Sequence, residues 1–214
     1  VQPTKATSIN NYHRNNALHI STSFFLIFVG FSVAQNFQTS ASKHVGNITL
    51  SLVYFSFTVC NFVSAAITSR FGVYKTLFLS STSYVLFTGV FVVPYPWLMY
   101  TSGILCGSCA ATLWTCQGVY LATQAELHDQ VNSLPKHSSL GDFNGIFFSG
   151  MCLSASFGNF IAAILFQAEV GSTMIFGVMT LITLLGSLSL LFLKMPSSTN
   201  GTKTEASPII VKII

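Results

Sequence analysis

Residues 76–125 read "TLFLSSTSYVLFTGVFVVPYPWLMYTSGILCGSCAATLWTCQGVYLATQA", fifty positions without one Asp, Glu, Lys or Arg. A helix rises about 1.5 Å per residue, and about 20 apolar residues cross a hydrocarbon core of roughly 30 Å. Fifty residues suffice for two crossings if the chain turns between them. Pro94 and Pro96 supply that turn, because neither can continue a helix and each biases its preceding residue toward extended backbone. The stretch predicts two transmembrane helices joined by a short corner. Tyr95, Trp97 and Tyr100 at that corner suit an interfacial aromatic belt.

The rest of the chain repeats the pattern. Of its 214 residues 51% are hydrophobic and only 7% charged, against roughly 25% charged in ordinary soluble domains. Charge is also absent between Arg14 and Lys43, between Asp142 and Glu169, and between Glu169 and Lys194. The composition excludes a soluble globular protein and predicts an all-α, multi-pass membrane protein of six transmembrane helices, at about 18–38, 46–68, 76–93, 97–124, 143–167 and 172–193. The breaks are "TSASKH", "SRFGVYK", "VPYPW", "AELHDQVNSLPKHSSLGD" and "AEVGS". Residues 1–17 form a polar segment before the bundle 18–193, and residues 194–214 form a polar tail. The first apolar run is too long for a signal-peptide core and has no clear cleavage site.

Basic residues set the orientation. Lys5, Arg14, Arg70, Lys75, Lys136, Lys194, Lys203 and Lys212 fall on one side of the six-span arrangement, and Lys43 alone on the other. A bias of eight to one predicts that both termini and the 69–75 loop are cytoplasmic. Scattered in this way the basic residues form no nucleic-acid patch, and the bilayer is the first partner. Asn47-Ile48-Thr49 is a glycosylation sequon on the outer side, almost at the membrane surface, while Asn200-Gly201-Thr202 falls in the cytosol.

Within the quoted stretch, Cys106 and Cys109 have the C-x-x-C spacing of a thiol site, and Cys60, Cys116 and Cys152 also fall in spans. A zinc site needs four N or S ligands, and neither a second pair nor a nearby histidine supplies them. A disulfide between residues three apart on a helix has poor geometry. The thiols are expected to act as small apolar packing residues. A stronger pattern is a small residue at every fourth position: Gly103, Gly107, Ala111 and Thr115 in span four, and Gly150, Ser154, Gly158 and Ala162 in span five. Such stripes let helix backbones approach closely where lipid provides no hydrophobic drive between helices.

Proton and ion relays in membranes use buried ionisable groups. No carboxylate, amine or guanidinium lies inside a predicted span, and His19 stands only at a span end. The polarity left in the spans is mostly neutral amide: Gln35, Asn36, Asn61, Gln117 and Asn159. Amides either bond between helices or contact a solute or partner. Gln35 and Gln117 are near the exit ends of oppositely running spans, so they are expected toward opposite membrane faces. Glu126, His128 and Asp129 read as a solvated loop, not a metal site. No cofactor motif, nucleophile or catalytic base supports an enzyme.

Four stretches then resemble the Unc-ninety-three-like family, the ion-channel-regulatory branch of the major facilitator superfamily. They are "GFSVAQNFQTS", "SRFG" with Lys75, "PYPWLMYTSGILCGSCAATLWTCQGVYLAT" and "GDFNGIFFSGMCLSASFGN". The small residues leading to Leu113-Trp114-Thr115-x-Gln117-Gly118 are the most specific element, and the likeness runs through residue 193. It implies one six-helix half of a major facilitator fold, with 194–214 the start of a central cytoplasmic linker. Facilitators commonly carry Gly-x-x-x-Asp-Arg-x-Gly-Arg-Lys between spans two and three, a latch for the movement of the halves. Here Ala65, Ser69, Arg70 and Gly72 stand at those places with Lys75 beyond, so the acidic member is missing.

The resemblance implies a non-catalytic protein that regulates or traffics other membrane proteins, such as ion channels. Gln35, Asn36, Asn61, Trp114, Gln117 and Asn159 are its candidate partner or solute contacts. Half of a facilitator-type solute transporter is the alternative, with a homodimer or a missing C-terminal half completing it. A truncated product without independent activity is a third reading, since the chain opens on Val1. No potassium-filter sequence, arginine-rich voltage helix or paired Asn-Pro-Ala supports a pore.

Overall fold

The computed structural model of the chain describes residues 5–194 apart from Ser42. Among the described residues there are six α-helices: α1 (Lys5–Ala41), α2 (Lys43–Phe71), α3 (Val73–Val90), α4 (Pro96–Val131), α5 (Leu140–Gln167) and α6 (Ser172–Ser189), the last continued by a 3-10 turn Leu190–Phe192. Asn200-Gly201-Thr202, Lys203 and Lys212 lie outside the described residues.

The punctuation in the sequence acts as expected at Pro96, which opens α4 where its missing N–H leaves no bond unmade. Elsewhere the helices outrun the apolar spans. α1 begins at Lys5, so residues 5–17 are helical and extend the first span. The expected 69–75 loop is reduced to Gly72, which takes a φ of 82° between α2 and α3. Only glycine enters that region without steric cost, and one residue therefore reverses the chain. α4 continues beyond 124 to Val131, ending at an Asn132 whose side chain bonds back to the His128 carbonyl.

Among the described residues five helices are long and apolar enough to cross a membrane, and α3 is not one of them. It has 18 residues, about 27 Å, carries Lys75 in its first turn and contains the hydroxyl run Ser80–Ser83. The expected third span of 76–93 is thus a helix of 73–90, with Phe91, Val92 and Val93 in the following turn. Its hydroxyls are used inside the bundle. Ser80 hydrogen-bonds Thr112 of α4 at 2.8 Å, and Ser81 bonds Ser187 of α6.

The centre of the bundle is α1 and α4. α1 packs most heavily on α5 and α6, and α4 on α2 and α3. α1 therefore stands to α5 and α6 as α4 stands to α2 and α3. The core between them is aromatic and aliphatic, with Phe24, Ile27, Leu113, Phe147, Phe176 and Met179 fully buried.

The two small-residue stripes lie at the two heaviest of these crossings. A Cβ added at Gly107 would meet the Val53 carbonyl oxygen and Ser56 Oγ of α2, and one at Gly103 would meet Thr49 at 3.1 Å. Thr115 donates to Ser64 of α2 at 2.9 Å, and Ala111 is fully buried. On α5, a Cβ at Gly158 would meet the Val29 carbonyl oxygen of α1, and one at Gly150 would meet Ser21 Oγ. Ser154 and Ala162 are buried in the same crossing. A third close crossing, α1 against α6, was not signalled by a stripe. Gly30 closes on Thr183 and Met179, and Gly186 on Ile27, Leu26 and Ser23, each helix giving one glycine.

Candidate functional site: an aromatic groove and its amides

α1 presents Phe28, Phe31, Ser32 and Gln35 along one face, at the spacing that stacks residues on a helix. Val53, Tyr54 and Phe57 of α2 face them, with Tyr84 from α3, Ala110 and Trp114 from α4, and Met151 from α5. Together they line a half-open groove of about 310 Å³. Its wall is a connected set of rings. Trp114 lies 5.6 Å from Phe28, Phe28 lies 5.4 Å from Tyr84, and Tyr84 lies 4.9 Å from Phe31. Below it, Phe24 and Phe147 contact the other side of Trp114 at 5.9 and 6.2 Å. These rings fix the indole between groove and core.

Polar groups stand at the groove's edge. Gln35 Nε2 donates to the Tyr54 hydroxyl at 2.9 Å, tying α1 to α2. One residue on, Asn36 Nδ2 donates to Asn159 Oδ1 at 3.0 Å, tying α1 to α5. Asn159 also donates to the Ala155 carbonyl of its own helix. Asn36 is exposed on the outside of the bundle, as is Asn61, whose amide bonds back to Phe57 on α2.

The six candidate contacts are therefore not one constellation. Gln35 and Trp114 line the groove and Asn36 and Asn159 bond beside it, while Asn61 faces outward from α2. Gln117 is buried and does not line the groove. It lies ten residues beyond Gly107, about 15 Å along α4 from the level at which Gly107 meets Val53, Tyr54's neighbour.

Two polar features depart from the reading of the sequence. At the end of the bundle opposite Gln35, His13 Nδ1 and Gln124 Oε1 are 2.7 Å apart, and Asn16 Nδ2 donates to the same oxygen at 3.4 Å. All three side chains are buried. His13 and Asn16 sit on the extension of α1 before the first apolar run and Gln124 is the last residue of the fourth, so a search weighted to the interiors of the spans passes over them. The second feature corrects the expectation of a solvated loop at Glu126, His128 and Asp129. Asp129 is only 2% exposed. It accepts the Ser138 hydroxyl at 3.0 Å and the Ser139 N–H at 3.2 Å, while His128 Nδ1 lies 2.9 Å from the Ser139 hydroxyl. Glu126 pairs with Lys136 at 3.5 Å. His128 and Asp129 converge on Ser139 while Glu126 turns to Lys136, and together they tie the loop to α4.

The five cysteines are free thiols. Cys106 and Cys116 are buried, and Cys116 Sγ lies 3.2 Å from the Thr68 hydroxyl. The sequon Asn47-Ile48-Thr49 lies in the first turns of α2 with Asn47 exposed. Its Thr49 is fully buried, donates to the Val45 carbonyl at 2.8 Å and touches the Gly103 crossing. Of the latch positions Ala65 is half-buried, while Ser69, Arg70 in the last turn of α2, Gly72 at the hinge and Lys75 in the first turn of α3 are exposed.

Comparison with known proteins places this arrangement. Over 195 residues the chain is 31% identical to UNC93-like protein 3 of Arabidopsis thaliana, covering 89% of this chain and 42% of that protein. It is 27% identical over 205 residues to UNC93-like protein MFSD11 of Xenopus laevis, covering 90% and 44%. With Protein unc-93 homolog A of Mus musculus it shares 34% identity over 156 residues, 71% and 34% of the two chains. The chain thus spans less than half the length of these curated relatives. The family model described as "Ion channel regulatory protein UNC-93" matches residues 37–213, from the end of α1 onward, and the chain belongs to the UNC-93 family of multi-pass helical membrane proteins.

Proposed function

We propose that the chain forms the first of two helical halves of a facilitator-like membrane protein that binds and regulates or traffics another membrane protein, an ion channel being the class named in the family's description. In this reading all six helices cross the bilayer. α3 can do so because its hydroxyls are bonded within the bundle and its outward residues Leu79 and Leu86 are apolar. The eight-to-one basic bias supports cytoplasmic termini. The matching partners of α1 and α4 support an inverted repeat of three helices plus three.

One observation carries the partner reading: the Asn36–Asn159 hydrogen bond lies on the outside of the bundle, beside Gln35–Tyr54, with Asn61 exposed on the same side. Polar groups directed at lipid are costly and rare. This side therefore meets protein: the remainder of a relative-length chain, a second copy or a separate partner. The test places a photo-crosslinking residue at Phe62 on α2 and, separately, at Leu181 on α6, both exposed. Crosslinks to another membrane protein from position 62 but not 181 support the reading. Lipid adducts alone at both positions overturn it.

The groove favours a second reading, half of a solute carrier, because six aromatic rings with Gln35 at the edge suit an uncharged or cationic organic solute. Solute flux in proteoliposomes that disappears in Gln35→Ala or Trp114→Ala would favour the carrier over the regulator.

A further inference from the structure

The corner between α2 and α3 carries positive charge that no carboxylate among the described residues accompanies. Arg70 is exposed in the last turn of α2, and Lys75 is exposed in the first turn of α3, with Gly72 the only residue between the helices. Lys194 is drawn toward the same corner, because its main-chain carbonyl accepts the hydroxyls of Tyr74 and Tyr120, each at 3.4 Å. Its ammonium stands 5.9 Å from the centre of the Tyr12 ring, a contact that leaves the charge in place.

The chain has no Asp or Glu before Glu126. Among the described residues Glu126 pairs with Lys136 and Asp129 lies 3.8 Å from His128, both at the α4–α5 loop. Asp142 opens α5, which packs chiefly on α1. Ser69, standing where facilitators place the latch acid, donates its hydroxyl back to the Ala66 carbonyl. Next to these cations, Phe71 is 61% exposed and Phe192 is 73% exposed. Exposed rings adjoining basic side chains at the ends of apolar helices match the composition of the bilayer interface, where acyl chains meet phosphate.

We propose that this corner binds the headgroup of an anionic phospholipid, whose phosphate serves Arg70 and Lys75 as the counterion that a carboxylate provides in a facilitator latch. Phe71 and Phe192 contact the acyl chains of the same lipid, and Lys194 adds its field from the end of the bundle. The occupant is a lipid and not a soluble anion, because the two rings have no use for free phosphate.

The test is lipid retention and thermal melting of the purified chain in neutral detergent, with phosphatidylglycerol or phosphatidylcholine added. Phosphatidylglycerol is expected to remain bound in native mass spectrometry and to raise the melting temperature, while phosphatidylcholine does neither. At about 1 kcal/mol per basic residue near an anionic surface, each removed charge weakens binding about fivefold, so R70Q/K75Q loses about 25-fold. K136Q removes a basic residue that already has Glu126, and retains full binding. If R70Q/K75Q does not fold, a salt titration of the unsubstituted chain replaces it, with retention falling as salt rises. Equal retention of the two lipids, unaltered phosphatidylglycerol binding by R70Q/K75Q, salt-independent retention, or equal stabilisation by inorganic phosphate alone would each overturn the proposal.

Discussion

The two outer sides of this bundle are built from the same helical material and differ in what they show. On the side formed by α3 and α6, the residues exposed beyond the first turn of each helix are Leu79, Leu86, Gly177, Val178, Leu181, Leu184, Leu185 and Leu188. On the side of α2 and α5, with the edge of α1, Asn36, Ser51, Tyr54, Thr58, Asn61, Ser149 and Ser156 are exposed among the apolar residues. The hydroxyls of Ser51 and Thr58 are satisfied by their own helix, and the amides of Asn36 and Asn159 by each other. The first surface is finished for lipid. The second is chemically tolerable in isolation, and its amides gain most when another protein covers them.

That contrast is open to direct attack. A carboxylate at the centre of a lipid-facing helix costs about 2.5–3.5 kcal/mol of insertion free energy. Leu181→Asp on α6 should therefore cut the yield of folded, membrane-inserted protein severely, while Asn61→Asp on α2 should cut it far less. Equal losses, measured by fluorescence of a fused reporter and size-exclusion profile, would erase the distinction between the two sides.

Glycines offer the next comparison. Gly107 and Gly158 lie where a Cβ meets backbone of α2 and of α1, whereas Gly177 on α6 has nothing within 4 Å. Overfilling a close-packed contact costs about 1–3 kcal/mol. Gly107→Leu and Gly158→Leu should lower the melting temperature in detergent markedly, and Gly177→Leu should leave it unchanged. Matching behaviour of all three variants would mean that the close crossings are not required for the fold.

Smaller effects sharpen the picture at the groove. Asn36→Ala removes the interhelical bond to Asn159 and should reduce stability by about 0.6 kcal/mol, the average for such bonds in a membrane protein. Its effect on partner capture should exceed its effect on melting if the pair stands, as proposed, on the side that meets protein. The smallest expected change is at the sequon. With Thr49 buried and bonded within α2, glycosidase treatment should leave the electrophoretic mobility of the protein where it was, and Asn47→Gln should run identically. A mobility shift would place the glycan on the chain before α2 is seated.

Much of this was legible in the residue order, for reasons that can be named. The helices follow from charge-free tracts too long for any other use, and the corner at 94–96 follows from two prolines. The stripes of Gly103, Gly107 and Ala111 and of Gly150, Ser154 and Gly158 signal close approach because lipid leaves little else to hold helices together. What the stripes do not carry is the identity of the opposing helix. Gly107 meets α2 and Gly158 meets α1, and the third crossing uses isolated glycines, Gly30 and Gly186, that form no pattern within either helix. The groove was equally hidden. Only Trp114 and Gln35 were among the candidate contacts, because Phe28, Phe31, Phe57 and Tyr84 resemble any other apolar filling until five helices form the groove.

By itself the sequence determined the solvent. Fourteen charged residues, kept out of the long tracts, leave the chain no stable state outside a membrane, and local chemistry sets where each helix begins and turns. Tertiary structure decided which polar groups act together. Gln35 with Tyr54, Asn36 with Asn159 and His13 with Gln124 are 19, 123 and 111 positions apart. Their meeting depends on the order and depth at which helices pack, and those are set by side-chain shape at every crossing at once, so no single segment encodes them.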